Sequence, residues 1–201
     1  MTERNASPAR LESISDGVIA VIITIMVLEL HPPKVATVPA LLGLWPPFAI
    51  YLVSFLFIAT FWVNHRYMFS LMRRVDERVL WSNMALLFIL SLIPFSTAFV
   101  GQTRLAALST AVYAGVLFLA GLAFWSLALG VAAQYEPGDE PAAFGLRQRL
   151  IHAAGLAAYA LAIPVAFLNP LAALGLIVAP GLMYVTRLTR PVDGTGAALL
   201  P

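Results

Sequence analysis

The sequence predicts an all-α polytopic membrane protein with six transmembrane helices per subunit. Three observations carry this. Hydrophobic residues make up 61% of the chain and charged residues 11%, whereas a soluble domain carries about 25% charged residues. Long apolar runs alternate with short polar connectors, as a bundle of membrane spans requires. Ten of the 12 Lys and Arg residues then fall on one side of a six-span layout. They are Arg4, Arg10, Arg66, Arg73, Arg74, Arg78, Arg147, Arg149, Arg187 and Arg190, against Lys34 and Arg104 on the other side. That bias places both termini in the cytoplasm.

The first span covers residues 9–30. Ser7-Pro8 reads as an N-cap followed by proline at the first helical position. His31-Pro32-Pro33 stops the helix, because proline cannot continue it and restricts the residue before it. Residues 34–47 form a proline-rich outer loop with room for a short turn of helix. The second span, residues 48–63, closes in Trp62, Asn64, His65 and Arg66. A connector holding Arg73, Arg74, Asp76, Glu77 and Arg78 leads to the third span, residues 80–100, with Asn83 near its start and Pro94 within it. The fourth span covers residues 106–133. A polar loop follows, and the fifth span, 150–168, meets the sixth, 171–185, through Asn169-Pro170. Residues 1–190 read as a single six-helix domain and 191–201 as a disordered tail. No cleavable signal peptide is apparent, since the residues before Ile14 are polar.

Several function classes fall away on composition. The chain has no cysteine, hence no disulfide framework and no thiolate chemistry. Three scattered histidines make no tightly bound metal site. The arginine excess of a membrane protein concerns topology before nucleic acid. A membrane-embedded enzyme would need a clustered polar site with a nucleophile or a second carboxylate in place, which the sequence does not offer.

The chain does bring polar groups to one membrane level at its terminal side. Ser15-Asp16 sits near the inner end of span one. Trp62, Asn64 and His65 close span two, and Trp81 and Asn83 open span three. A carboxylate at that depth would accept hydrogen bonds from the others, which counts for more where water is scarce. Arg10 and Asp16 are six residues apart and face roughly 120° away from each other on a helix, so they are not an i,i+4 pair. Asp16 must therefore look to another helix. A helix cap is the alternative for Ser15-Asp16, but Ser7-Pro8 supplies the better start. His65 stays open between this inter-helix lock and a headgroup-level residue, and the tryptophans between the lock and an interfacial belt.

Higher in span one, Val21, Ile25 and Leu28 follow i, i+4, i+7 and share a face, with Thr24 alongside. Such a stripe is read either as lipid-facing and packed, or as the wall of a pore. Gly17, Ala20 and Thr24 offer small residues for close helix packing instead.

The stretch Arg10–Ala20, RLESISDGVIA, closely resembles the R-x-x-x-F-S-D signature of the transmembrane protein 175 family of potassium channels, with Ile14 in place of the motif phenylalanine. The likeness continues in Thr24 and Val27-Leu28-Glu29, in FWVNHR at 61–66 and in LIPFST at 92–97. It covers spans one to three in order. The resemblance implies six-helix subunits assembled as a homotetramer, with the first helix of each lining a central pore and no T-V-G-Y-G filter, a motif this sequence also lacks. It places Val21, Ile25 and Leu28 on apolar constrictions and Thr24 on a polar pore-facing position. It implies that Arg10, Ser15 and Asp16 are held by helices two and three in a structural network with Trp62, Asn64, His65 and Asn83.

The expected function is thus a potassium-permeable cation channel of a bacterial inner membrane, with lipid and a second copy of the chain as partners, monovalent cations as permeant species and no cofactor. A secondary, proton-coupled transporter is the alternative. Against it, no charged residue falls near the bilayer centre, where coupling groups sit. Glu29, near the outer mouth, either raises local cation concentration or is an interfacial carboxylate.

Overall fold

The structure is a computed structural model that describes residues 7–188, with side chains as far as Leu182. Its helices are α1 (Pro8–Leu28), α2 (Val38–Leu42), α3 (Trp45–Ser70), α4 (Glu77–Leu90), α5 (Ile93–Gln102), α6 (Ala107–Ala132), α7 (Leu146–Leu168) and α8 (Pro170–Leu188), with a 3-10 turn at Ala142–Phe144. Five stretches are long and apolar enough to cross a membrane: α1, Val38–Ser70, Glu77–Gln102, α6 and α7. The described part of α8, Pro170–Leu182, is a shorter apolar helix. The expected tail at 191–201 lies outside the described residues.

Local chemistry sets the ends. The Ser7 hydroxyl accepts the Arg10 backbone N–H at 3.3 Å, with Pro8 opening α1 behind it. The Glu29 and Leu30 N–H groups turn back onto Met26 and Val27, three residues earlier, so α1 closes at Leu28. The second span extends further than its polarity suggests. Asn64-His65-Arg66 breaks no helix, and His65, Met68 and Phe69 are buried along the continuing turn. The third span is broken. Pro94 has no N–H to offer the Leu90 carbonyl, so α4 stops at Leu90 and α5 restarts at Ile93. Asp76 caps α4 by accepting the Val79 N–H at 2.9 Å. Asn169 caps α8 by accepting the Leu171 and Ala172 N–H groups at 3.0 and 3.1 Å.

Helix α6 is the hub, packed on α4, α5, α7 and α8. Its buried Ala114, Ala120 and Ala123 let those backbones approach, which matters because lipid supplies no hydrophobic drive between helices. Helix α1 packs on α3, α4 and α5. A buried three-hydroxyl knot crosses the centre: Thr97 on α5 donates to Ser54 on α3 at 2.7 Å, and Ser54 shares a 2.8 Å hydrogen bond with Tyr113 on α6.

Helix α8 packs on α3, and Gly181 makes a very close approach there. A Cβ at Gly181 would stand 2.6 Å from Cε1 of the buried Phe57, whereas one at Gly175 would meet nothing within 4 Å. Gly181→Val is therefore expected to destabilise the protein by about 1–3 kcal/mol through overpacking. Thermal unfolding in detergent, read against Gly175→Val, checks this; equal melting of the two variants would refute it.

Candidate functional site

Helix α1 has two unlike faces. Leu11, Ser15, Ile19, Ile22 and Met26 form its buried stripe. Polar ties hold the first part of this side to α3 and α4. The Trp62 Nε1–H donates to Asp16 Oδ1 at 2.9 Å. One turn away, Arg66 Nε lies 3.7 Å from Glu12 Oε1. The Arg66 guanidinium sits over the Trp62 ring, 5.3 Å from its centroid, where the negative ring face favours a cation. The two helices run antiparallel, so four residues up α1 is four residues back along α3. An i,i+4 carboxylate pair thus meets an i,i+4 Trp–Arg pair.

Deeper in, a relay links three helices. The Ser15 hydroxyl donates to the Leu11 carbonyl at 2.9 Å, so its oxygen accepts the Asn83 Nδ2–H at 2.9 Å. That fixes the Asn83 amide and turns its Oδ1 to His65 Nε2 at 2.8 Å. The His65 proton in this bond therefore sits on Nε2. Its Nδ1 is buried with no hydrogen-bond partner among the described residues, and the ring stacks on Phe69 at 4.2 Å between centroids.

Arg10 and Asn64 stand elsewhere than the resemblance implied, and Trp81 fits the second of its two readings. Arg10 is exposed, and among the described residues its guanidinium makes no hydrogen bond or ion pair; it lies well round the helix from the buried stripe. The arginine that reaches between α1 and α3 is Arg66, paired with Glu12. Asn64 turns back on its own helix, donating to the Thr60 carbonyl at 2.7 Å. Trp81 points outward, 71% exposed. Helical phase explains Asn64. From Trp62, residues at i+3 and i+4 share its side, which selects His65 and Arg66, while Asn64 is about 200° away.

The other face of α1 is open. Leu28 is 73% exposed, Val21 54% and Ile25 42%. Thr24 is exposed beside them, its hydroxyl donating to the Val21 carbonyl of the same helix at 2.9 Å. A groove of about 760 Å³ runs along this side, lined on α1 by Ile14, Gly17, Val21, Ile25 and Glu29 and on α5 by Phe95, Phe99 and Gln102 among others. Glu29 is half-buried at the C-terminal end of α1. Among the described residues no cluster of His, Cys, Asp and Glu fits a metal ion.

Known proteins are similar to this chain in sequence and fold. A family profile described as "Endosomal/lysosomal potassium channel TMEM175" matches residues 10–94, the anchor and the open face together. A potassium channel of Chryseobacterium sp. (strain P1-3) is 34% identical over 166 residues, 83% of this chain and 86% of its own. The chain belongs to the TMEM175 family of potassium channels. A second member, a potassium channel of Streptomyces collinus (strain DSM 40733 / Tue 365), is 36% identical over 184 residues, 84% of this chain and 88% of its own. The fold is similar to the crystal structure of a lysosomal potassium-selective channel TMEM175 homolog from Chamaesiphon minutus, with a TM-score of 0.79 at 29% identity, over 91% of this chain and 98% of that one. The family is one of multi-pass membrane channels rather than enzymes.

The relay makes Asn83 the joint between α1 and α3. Asn83→Leu keeps the volume but strands the His65 Nε2–H and one bond of Ser15, so it is expected to cost about 1–3 kcal/mol. Thermal unfolding in detergent tests this against Asn64→Leu, which breaks only a bond within one helix. A loss no larger for Asn83→Leu than for Asn64→Leu would mean that the relay does not hold α1.

Proposed function

We propose that this protein is a potassium-permeable cation channel in which four copies of the chain enclose a pore lined by α1. The observation that carries the reading is the open apolar arc of α1, with Leu28, Val21 and Ile25 exposed opposite a fully packed stripe. One helix cannot enclose a pore, so the arc acts only in a closed ring of subunits. Val21, Ile25 and Leu28 then form the apolar constriction, with Thr24 the polar step between them. Relatives named as potassium channels across most of the chain support the ion class.

Such a constriction gates by dewetting. When it widens, it passes partly hydrated cations, because no ring of carbonyls stands in for their hydration shell. Glu29 concentrates cations at the outer mouth through its field. The anchor of Ser15, Asp16, Trp62, His65 and Asn83, joined by Glu12 and Arg66, fixes the base of α1 and takes no part in conduction. Both termini lie in the cytoplasm, on the side that carries the arginines.

Purified protein in liposomes with a potassium gradient and a proton ionophore tests this. Potassium flux is expected to exceed sodium flux without saturation by a co-substrate, and the particle to have the mass of four chains. Ile25→Ala and Leu28→Ala each widen the constriction and are expected to raise cation flux severalfold. Unchanged flux in both variants would remove α1 from the pore, and saturable flux coupled to a second solute would make the protein a carrier.

A further inference from the structure

A second groove lies on the side of the bundle formed by α6 and α7, whereas α1 packs on α3, α4 and α5. It has a volume of about 410 Å³ and is lined by Leu122, Trp125, Ser126, Leu129, Ala153 and Leu156. Leu122 and Leu129 are exposed along its floor. Five of the six lining residues are apolar or aromatic, so the groove suits hydrocarbon rather than a polar solute.

Its two walls each lead to an arginine at the same end. On α7, Arg149 is one turn before Ala153 and two before Leu156, so all three share a stripe. On the other wall, Ser82 of α4 meets Ser126 at 3.0 Å. One turn nearer the arginine-rich end, the Arg78 stem packs on α6, its Cγ 3.8 Å from where a Cβ of Gly130 would stand. Arg78 and Arg149 thus stand at the same end of the helices that border the groove. The Arg149 Nε–H donates to the Phe144 carbonyl at 2.8 Å, which holds that side chain in place and leaves its terminal nitrogens. Among the described residues the ion pair is Arg66–Glu12, and neither Arg78 nor Arg149 pairs with a carboxylate. Exposed Trp81, one turn from Arg78, sits where an indole marks the headgroup level.

We propose that this groove binds an anionic phospholipid, with one acyl chain laid along Leu122, Leu129 and Leu156 and the phosphate held between Arg78 and Arg149. An apolar trough with two arginines toward one end matches a lipid whose charge and chain are joined in one molecule. A neutral chain would offer the arginines no anion, and a soluble anion would leave the trough empty. Basic pockets between spanning helices take anionic headgroups for this reason. The proposal is independent of where the pore runs.

The test equilibrates the full-length protein with mixed micelles holding equal phosphatidylglycerol and phosphatidylcholine, then weighs the lipid retained after washing by mass spectrometry. The native chain is expected to retain phosphatidylglycerol preferentially. Arg78→Gln with Arg149→Gln is expected to lower that preference roughly tenfold, from the loss of two basic contacts, while Lys34→Gln at the opposite end leaves it unchanged. Ala153→Phe fills the trough without touching charge and is expected to reduce retained phosphatidylglycerol as well. Equal retention of the two lipids by the native chain would overturn the proposal, as would native-like retention by the double variant or by Ala153→Phe. Full displacement by soluble glycerol phosphate would also overturn it, by making the site one for a free anion.

Discussion

In hydrocarbon a polar side chain has no water to fall back on, and that constraint organises the end of this bundle at which α1 begins. Each polar group that α1 carries into the packed stripe has a partner within one bond length of hydrogen-bond distance. Ser15 is satisfied on both sides, by Leu11 and Asn83. Asp16 takes the Trp62 indole, and Glu12 faces Arg66. Because those partners sit on α3 and α4, satisfying them sets the rotation and depth of α1 against both helices. The apolar stripe of Ile19, Ile22 and Met26 then packs in a register that apolar residues alone would specify weakly, since lipid competes for them on nearly equal terms.

The bundle divides its labour by residue type. Helix α6 and its neighbours α4, α5, α7 and α8 form a packed body rich in small side chains. Helix α1 is attached to the flank of that body by one stripe, with its remaining surface open. The knot of Thr97, Ser54 and Tyr113 stiffens the joint between α5, α3 and α6, which is the wall against which the groove beside α1 is formed.

Much of this was legible in the sequence because it follows from local rules. Ser7-Pro8 announced the start of α1, and the six-span order follows from hydropathy and charge. Topology alone brought Asp16, Trp62, His65 and Asn83 to one level. What was not legible depends on angle rather than depth. Asn64 shares the level of its neighbours but faces another way, and its amide is taken by the carbonyl of Thr60. Arg10 shares the level of Glu12 but not its side, so the cationic tie between α1 and α3 is made by Arg66 instead. The i,i+4 spacing of Glu12 with Asp16 and of Trp62 with Arg66 was the available signal. The break at Ser91-Leu92 was foreshadowed by Pro94, yet whether a proline kinks a span or splits it is decided by the packing of α4 and α5 on their neighbours, which no local rule contains.

Among the described residues, the polar ties between α1 and the rest of the bundle fall at or before Asp16. Beyond it the Thr24 hydroxyl bonds only to its own helix, and Gly17, just above the last tie, has nothing within 4 Å of its Cβ position. Beyond Asp16 the helix is held by apolar packing rather than by polar bonds. From Asp16 to Leu28 the helix rises ~18 Å, so a rotation of about five degrees at Asp16 sweeps the tip by ~1.6 Å, comparable to the radius of a water molecule. The foot of α1 is thus held by directional hydrogen bonds, and its upper part by the packing of Ile19, Ile22 and Met26 alone, so angular changes among a few polar bonds at the foot would be magnified along the open face.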